Sequence, residues 1–191
     1  IDGRPSLMPF LDGEIAATLV ASMTAAGVTF HWNEEVRRCD VSGREIILEL
    51  SSGDPLRCDN VLVCAGRTSN TADLNLAAAG LVPGRRGVIE VDEHFRTAVP
   101  HIYAAGDVIG PPWLAHVASE EAVVCVERLA KHEPYPLHYG VIPGCTYCHP
   151  QIASVGLTEA RAKEGGREIR VGRFPFIGNG KAIALGEDQG L

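Results

Sequence analysis

Tyr103-Ala104-Ala105-Gly106-Asp107 decides how this chain is read. The run has the pattern of a short apolar strand that stops on Gly-Asp, followed by a Pro-rich turn and a long helix opening near Leu114. A strand ending on an acidic residue, with a helix N-terminus just beyond it, suits a polyhydroxylated, anionic ligand. The carboxylate accepts hydrogen bonds from sugar-alcohol hydroxyls, while the N–H groups and dipole of a helix start favour negative charge.

On the N-terminal side, Asp12 predicts the N-cap of an amphipathic helix reaching about Ala26, with Gly27 as its stop. Val28 to Trp32, Val36 to Val41 and Glu45 to Leu50 read as strands, with a turn at Ser52-Gly53 toward Leu56. Asn60 to Gly66 is a continuous apolar run, the pattern of a strand covered on both faces. The order of helix, strand, small antiparallel insert and core strand predicts the back half of an α/β unit. Gly66 to Thr71 is a polar break, and a Gly-rich connector from Gly80 to Gly87 leads to a strand at Val88 to Val91. The helix from Leu114 to about Lys131 carries apolar residues at 114, 117, 118, 122, 124, 126 and 129, a broad face to bury. Pro134 and Pro136 mark a second break. Beyond it, residues 146–148, 153–155 and 169–171 read as strands around a short helix capped by Thr158 and ended by Gly165-Gly166.

The bulk numbers exclude several classes. A chain of 191 residues with 46% apolar content can bury a core, yet it has no apolar run long enough to span a membrane. A net charge of -7 without any basic block argues against a nucleic-acid or anionic-membrane surface. Cys39, Cys58, Cys64, Cys125, Cys145 and Cys148 are scattered, several within apolar runs, which suits small buried hydrophobes in a reducing compartment. With no signal peptide visible, a cytoplasmic protein is expected. Both ends read as cut, since Gly186 to Leu191 stops where another strand should begin.

Cys145-Thr146-Tyr147-Cys148-His149 matches the c-type haem attachment pattern, and Cys-x-x-Cys also suggests a redox dithiol or half a zinc site. No second Cys/His pair of zinc-like spacing follows. In a strand, an odd separation sends the two thiols to opposite faces. A metal or haem site is not expected.

The motifs together resemble the class I pyridine nucleotide–disulfide oxidoreductases, most closely their dihydrolipoamide dehydrogenase branch. Thr97…Ile102-Tyr103-Ala104-x-Gly106-Asp107 resembles the second FAD-binding motif, and Leu114-Ala115-His116 the helix start beneath the flavin. Tyr147-Cys148-His149-Pro150 through Glu159, and Phe174-Pro175-Phe176 with Asn179-Gly180-Lys181-Ala182, are similar to the opening of the interface domain. The resemblance implies an α/β fold in three parts. Residues 1–68 would be the rear of a Rossmann-like NAD domain, 69–140 a central FAD-binding segment, and 141–191 the start of an α+β interface (dimerisation) domain. It implies oxidation of dihydrolipoamide held on the acyltransferase of a 2-oxoacid dehydrogenase complex, with electrons passing through a Cys-x4-Cys disulfide and FAD to NAD+. It also implies a homodimer whose other subunit supplies a His–Glu base. Neither that disulfide nor that pair lies in the sequence, nor does a Gly-x-Gly-x-x-Gly phosphate loop. No catalytic residue is therefore carried over, and the 191 residues alone are expected to be inactive.

What the resemblance carries over is a set of cofactor contacts. Asp2 takes the place of the acid that accepts from the adenosine ribose, favouring NAD, although Arg4 would suit the 2′-phosphate of NADP. Val36, opening the next strand, joins it as a candidate nucleotide contact. Gly66 ends the core strand where a bare backbone lets the nicotinamide side of the cofactor approach. A small residue ending a buried strand is also ordinary packing, and it is the spacing ahead of Asp107 that favours a cofactor role. Asp107, Leu114, Ala115 and His116 belong to the flavin. His116 reads as an orienting residue, because the family's base is a different histidine nearer the C-terminus. Arg4 to Asp12, Gly66 to Thr71 and Val91 to Thr97 also resemble the soluble pyridine nucleotide transhydrogenases. That activity, mercuric reduction and a non-catalytic flavin-binding module are the alternatives.

Overall fold

Helix α1 (Gly13–Ala25) begins the first of two units into which the chain divides, Ile1–Leu62 with Pro143–Leu191. The computed structural model describes residues 1–191. Ile15, Ala16, Leu19 and Met23 recur at helical spacing along α1, so one stripe turns inward. Leu11 and Leu19 close on Ile152, with Leu7, Met8, Ile15, Met23 and Cys148 packed around them. Asp12 stands at the N-cap as expected, but its side chain does not cap α1. Its carboxylate instead accepts the Glu159 N–H at 2.7 Å.

Three short strands follow: β1 (Val36–Asp40), β2 (Ile46–Leu50) and β3 (Pro55–Cys58). They form an antiparallel meander in the order β1-β2-β3, with Cys39 opposite Leu48 and Leu48 opposite Leu56. Leu48 and Leu50 are buried while Glu49 between them faces water, the period-two alternation of a half-covered sheet. Ahead of the meander, Val28 to Trp32 gives only a single parallel bridge from Trp32 to Asp2, although Phe30 and Trp32 stack at 4.8 Å on one face.

Asn60 to Gly66 is not a covered strand. No segment of the chain hydrogen-bonds alongside it, and Leu62 and Val63 are 88% and 76% exposed. Apolar content makes such a run fit for a sheet interior, but pairing requires neighbouring backbone that this run does not meet.

In the C-terminal part of this unit, β4 (Gly144–Thr146) and β5 (Ile152–Ser154) pair antiparallel, Cys145 opposite Ala153. Cys145 is exposed, whereas the Cys148 thiol turns inward and donates to the Pro150 carbonyl at 3.0 Å. Helix α3 (Glu159–Glu164) has the expected ends: Thr158 Oγ1 accepts the Arg161 N–H at 3.3 Å, and Gly165 follows. Residues 169–171 form no strand. A further helix, α4 (Gly180–Leu185), is capped by Asn179, whose side-chain oxygen accepts from Lys181 and Ala182.

The second unit, Val63–Ile142, is built on α5, the 15-residue helix Ala115–Leu129. Its buried residues are Val117, Glu121, Val124 and Cys125, spaced i, i+4, i+7, i+8. Val124 and Cys125 pack on Phe95, with Tyr103 and Ile109 beside them. Val126 and Leu129, expected in the apolar face, are exposed. Val88 to Val91 and Ile102 to Ala105 run extended without ladders; Arg96 and Tyr103 make one antiparallel bridge. No helix is long and apolar enough to cross a membrane.

Candidate functional site

The sequence-predicted contacts fall into the two units. Gly66, Asp107, Leu114, Ala115 and His116 belong to Val63–Ile142, and Asp2 and Val36 to the other.

In the second unit the chain after Tyr103 stays extended through Ala105 and then turns at Gly106, where φ is +79°. Only glycine adopts that backbone freely, and a Cβ there would stand 3.0 Å from the Ala118 Cβ. A 3₁₀ turn over Gly106–Ile109 puts Asp107 at the surface, its carboxylate without any hydrogen-bond or ion-pair partner. The Asp107 carbonyl, by contrast, is held twice. Ser69 Oγ donates to it at 2.8 Å and Trp113 Nε1 at 3.2 Å. Arg67 donates to the Trp113 carbonyl at 3.2 Å, so the segment just after Gly66 is fastened beside the Asp107 turn. Gly66 itself has φ +115° and open space where a Cβ would be. The polar run from Gly66 to Thr71 is thus part of this unit's framework, with Ser69 and Thr71 buried.

Leu114 precedes α5 in an extended conformation, and no side chain caps the helix start. Ala115 and His116 are exposed on its first turn. An exposed, partnerless carboxylate therefore sits a short loop ahead of an uncapped helix N-terminus. The first can accept from hydroxyls and the second can face negative charge.

In the first unit, Asp2 runs alongside residues 31–34: its N–H donates to the His31 carbonyl at 2.9 Å, and its carbonyl accepts the Glu34 N–H at 3.2 Å. This pairing brings Asp2 close in chain path to Val36, the half-exposed first residue of β1. The Asp2 carboxylate is already engaged. Oδ1 accepts the Arg4 backbone N–H and Nε, each at 2.9 Å, and Oδ2 accepts Nη2 at 2.6 Å. These bonds, opposed by slight burial, hold its pKa down to about 2. A carboxylate offers about four acceptor positions, so this geometry leaves room for one further donor. Glu34 is also held below the usual carboxylate range, by donors from Ser51 and Ser52.

Two residues passed over in the sequence stand out. Glu121, 3% exposed, accepts the Gly106 N–H at 2.6 Å and the Tyr139 hydroxyl at 2.7 Å. The Tyr139 phenol is pushed up from its ordinary pKa, first by loss of water around the hydroxyl and then by the hydrogen bond and charge of Glu121. The available signal was a carboxylate at i+4 from Val117, inside an otherwise apolar helical stripe.

The Gly-Asp turn ahead of an uncapped helix start in one unit, and the Asp2 carboxylate ahead of the meander in the other, suit nucleotide cofactors rich in hydroxyls and negative charge. The pyridine nucleotide-disulphide oxidoreductase family matches residues 1–122, and the dimerisation domain of that family matches residues 142–191. The chain belongs to the pyridine nucleotide-disulphide oxidoreductase family, whose members are FAD- and NAD(P)-dependent flavoprotein disulfide reductases. A dihydrolipoyl dehydrogenase of Rhizobium etli is 44% identical across all of this chain and 40% of its own length. A mitochondrial dihydrolipoyl dehydrogenase of Pisum sativum is 41% identical across all of this chain and 39% of its own. Among solved structures, the HOCl-induced flavoprotein disulfide reductase RclA of Escherichia coli superposes with a TM-score of 0.91. It is 24% identical, with 98% of this chain and 43% of that one covered, a likeness of fold. The chain spans about 40% of the length of the curated relatives it matches.

Proposed function

We propose that this chain is the flavin- and nicotinamide-holding middle of a dihydrolipoyl dehydrogenase, in which dihydrolipoamide on an acyltransferase partner is oxidised at the expense of NAD+. The observation that carries the reading is the Asp107 carboxylate, exposed and without a partner on a turn whose Gly106 amide and Asp107 carbonyl are both held by side chains. A group left unpaired on so rigid a mount suits a ligand rich in hydroxyls, and the ribityl chain of FAD is such a ligand. Leu114, Ala115 and His116 then face the flavin with the positive end of α5, where negative charge on the ring is favoured. Gly66 gives the cofactor an approach unobstructed by a side chain. Asp2 accepts one ribose hydroxyl at its remaining acceptor position, with Val36 as an apolar contact beside the adenosine. Bound here, the flavin would supply two-electron transfer between a dithiol and NAD+.

In this reading, residues 1–68, 69–140 and 141–191 serve as the NAD-side, flavin-side and interface parts of the protein. The matched dimerisation domain supports a homodimer. A cytoplasmic location goes with free thiols, although Cys39, Cys64 and Cys145 are exposed and only Cys125 is the buried hydrophobe expected.

The test is NAD+ reduction by dihydrolipoamide in the intact, flavin-loaded protein. Turnover with dihydrolipoamide is expected. Hydride exchange between the two nicotinamide nucleotides, with no use of dihydrolipoamide, would replace this reading with a transhydrogenase.

A further inference from the structure

A carboxylate is seldom kept in an apolar helix face unless its oxygens are satisfied. Glu121 lies one turn after Val117 and one before Val124, within the buried stripe of α5. Its two oxygens are each used once. Oε2 accepts the amide of Gly106, and Oε1 accepts the hydroxyl of Tyr139. A group that accepts at both oxygens fits as a carboxylate. Tyr139 lies in the 3₁₀ turn Tyr139–Val141, well beyond α5, so two separate segments meet on one buried charge. The amide that Glu121 holds belongs to the residue immediately before Asp107.

We infer that Glu121 is a positioning residue for the flavin, acting through the Gly106 amide to fix the turn that presents the Asp107 carboxylate, with Tyr139 holding its second oxygen. This rests on the reading of Asp107 as a flavin contact. Glu121 does not itself touch the cofactor. It supplies an acceptor at one defined point, and Gly106 transmits that placement to the next residue. Two consequences separate this from general packing. The requirement is for an acceptor oxygen, which Glu121→Gln retains. The effect must also pass through Asp107, so it disappears when that carboxylate is gone.

The test is FAD binding to the apo form of the intact protein, followed by quenching of flavin fluorescence. A charge-assisted hydrogen bond lost in Glu121→Ala should weaken FAD by about tenfold to a hundredfold. Glu121→Gln should bind within about threefold of wild type, since a neutral acceptor keeps most of one hydrogen bond. In an Asp107→Ala background, Glu121→Ala should add little, the signature of two residues acting as one unit. Wild-type affinity in Glu121→Ala, or equal further loss in the Asp107→Ala background, would overturn the inference. If Glu121→Ala does not fold, Tyr139→Phe decides. Weaker FAD binding is expected from the freed carboxylate, and unchanged binding overturns the inference. Wild-type protein that takes up no FAD would instead remove the flavin reading itself.

Discussion

Ser69 and Asp107 are joined by a 2.8 Å hydrogen bond, hydroxyl to carbonyl, across 38 positions of sequence. It ties the polar segment after Gly66 to the Gly-Asp turn, two features that sequence spacing alone could only place in the same neighbourhood. Buried Thr71 ties the same segment to a second turn, Arg85–Gly87, donating to the Gly87 carbonyl at 2.7 Å. Removing one such bond leaves a carbonyl short of a partner. Ser69→Ala and Thr71→Val should each lower unfolding free energy by about 1 kcal/mol. Denaturant titration measures this, and unchanged midpoints in both variants would show that the staples do not support the turn.

Asp107 should separate stability from binding. Its carboxylate is exposed and makes no internal contact, so Asp107→Ala should leave unfolding within about 0.5 kcal/mol of wild type. FAD affinity should nonetheless fall by tenfold or more, as roughly 1.4 kcal/mol of lost hydrogen bonding implies. A stability loss that accounts for the binding loss would make the residue structural.

Gly106 tests the close approach of the turn to α5. A side chain at φ +79° is strained, and its Cβ would press on Ala118 at 3.0 Å. Gly106→Ala should cost about 1–3 kcal/mol. Thermal melting reads the loss, and a cost near zero would mean that the turn shifts freely.

The sequence shows best what is local. Helix α3 is legible end to end because Thr158 and Gly165-Gly166 carry its caps, and the meander is legible from alternation and the Ser52-Gly53 turn. Asn60 to Gly66 misleads because a ladder needs a second strand, and composition says nothing about whether one lies alongside. Helix α4 was within reach through Asn179 as cap and Gly186, at φ +70°, as stop. For α5, counting apolar residues put Val126 and Leu129 inside and left Glu121 out. A hydrophobic count cannot see a buried acid whose partners, Gly106 and Tyr139, come from before the helix and after it. Motif spacing singled out Asp107, Leu114 and His116, but it gave no sign that Ser69 and Trp113 both hold the Asp107 carbonyl.

Asp2 offers a pH test. Arg4 depresses its folded pKa to about 2, below the ordinary 3.8, so the pair contributes fully above about 3.8. The contribution is lost as pH falls from there through 2. The pair is solvent-exposed, so the consequence for global stability is small. NMR titration should place the Asp2 carboxyl near 2 in wild type and higher in Arg4→Ala, short of the ordinary 3.8 because the backbone N–H at position 4 still donates to it. A carboxyl that titrates alike in both would mean that the fork with Arg4 does not form in solution.

Asp12 and Arg173 should behave differently although both reach across the first unit. Asp12 accepts the Glu159 N–H at the start of α3 in a partly buried setting, whereas the Arg173–Glu14 pair is exposed. Asp12→Ala should cost about 1–2 kcal/mol, as a lost N-terminal cap does, and Arg173→Ala less than about 1 kcal/mol. Denaturant midpoints with and without added salt distinguish them, since only the exposed pair is screened. A reversed order would contradict the assigned roles.

On the function proposed above, the Asp107 turn holds a flavin that serves dihydrolipoamide oxidation. The most direct measurement is FAD released on denaturing the intact protein, together with dihydrolipoamide-dependent NAD+ reduction before denaturation, in wild type and Asp107→Ala. One FAD per chain and turnover are expected in wild type, with both lost or sharply reduced in the variant. Flavin-free wild-type protein, or equal FAD content and turnover in the two, would contradict that function.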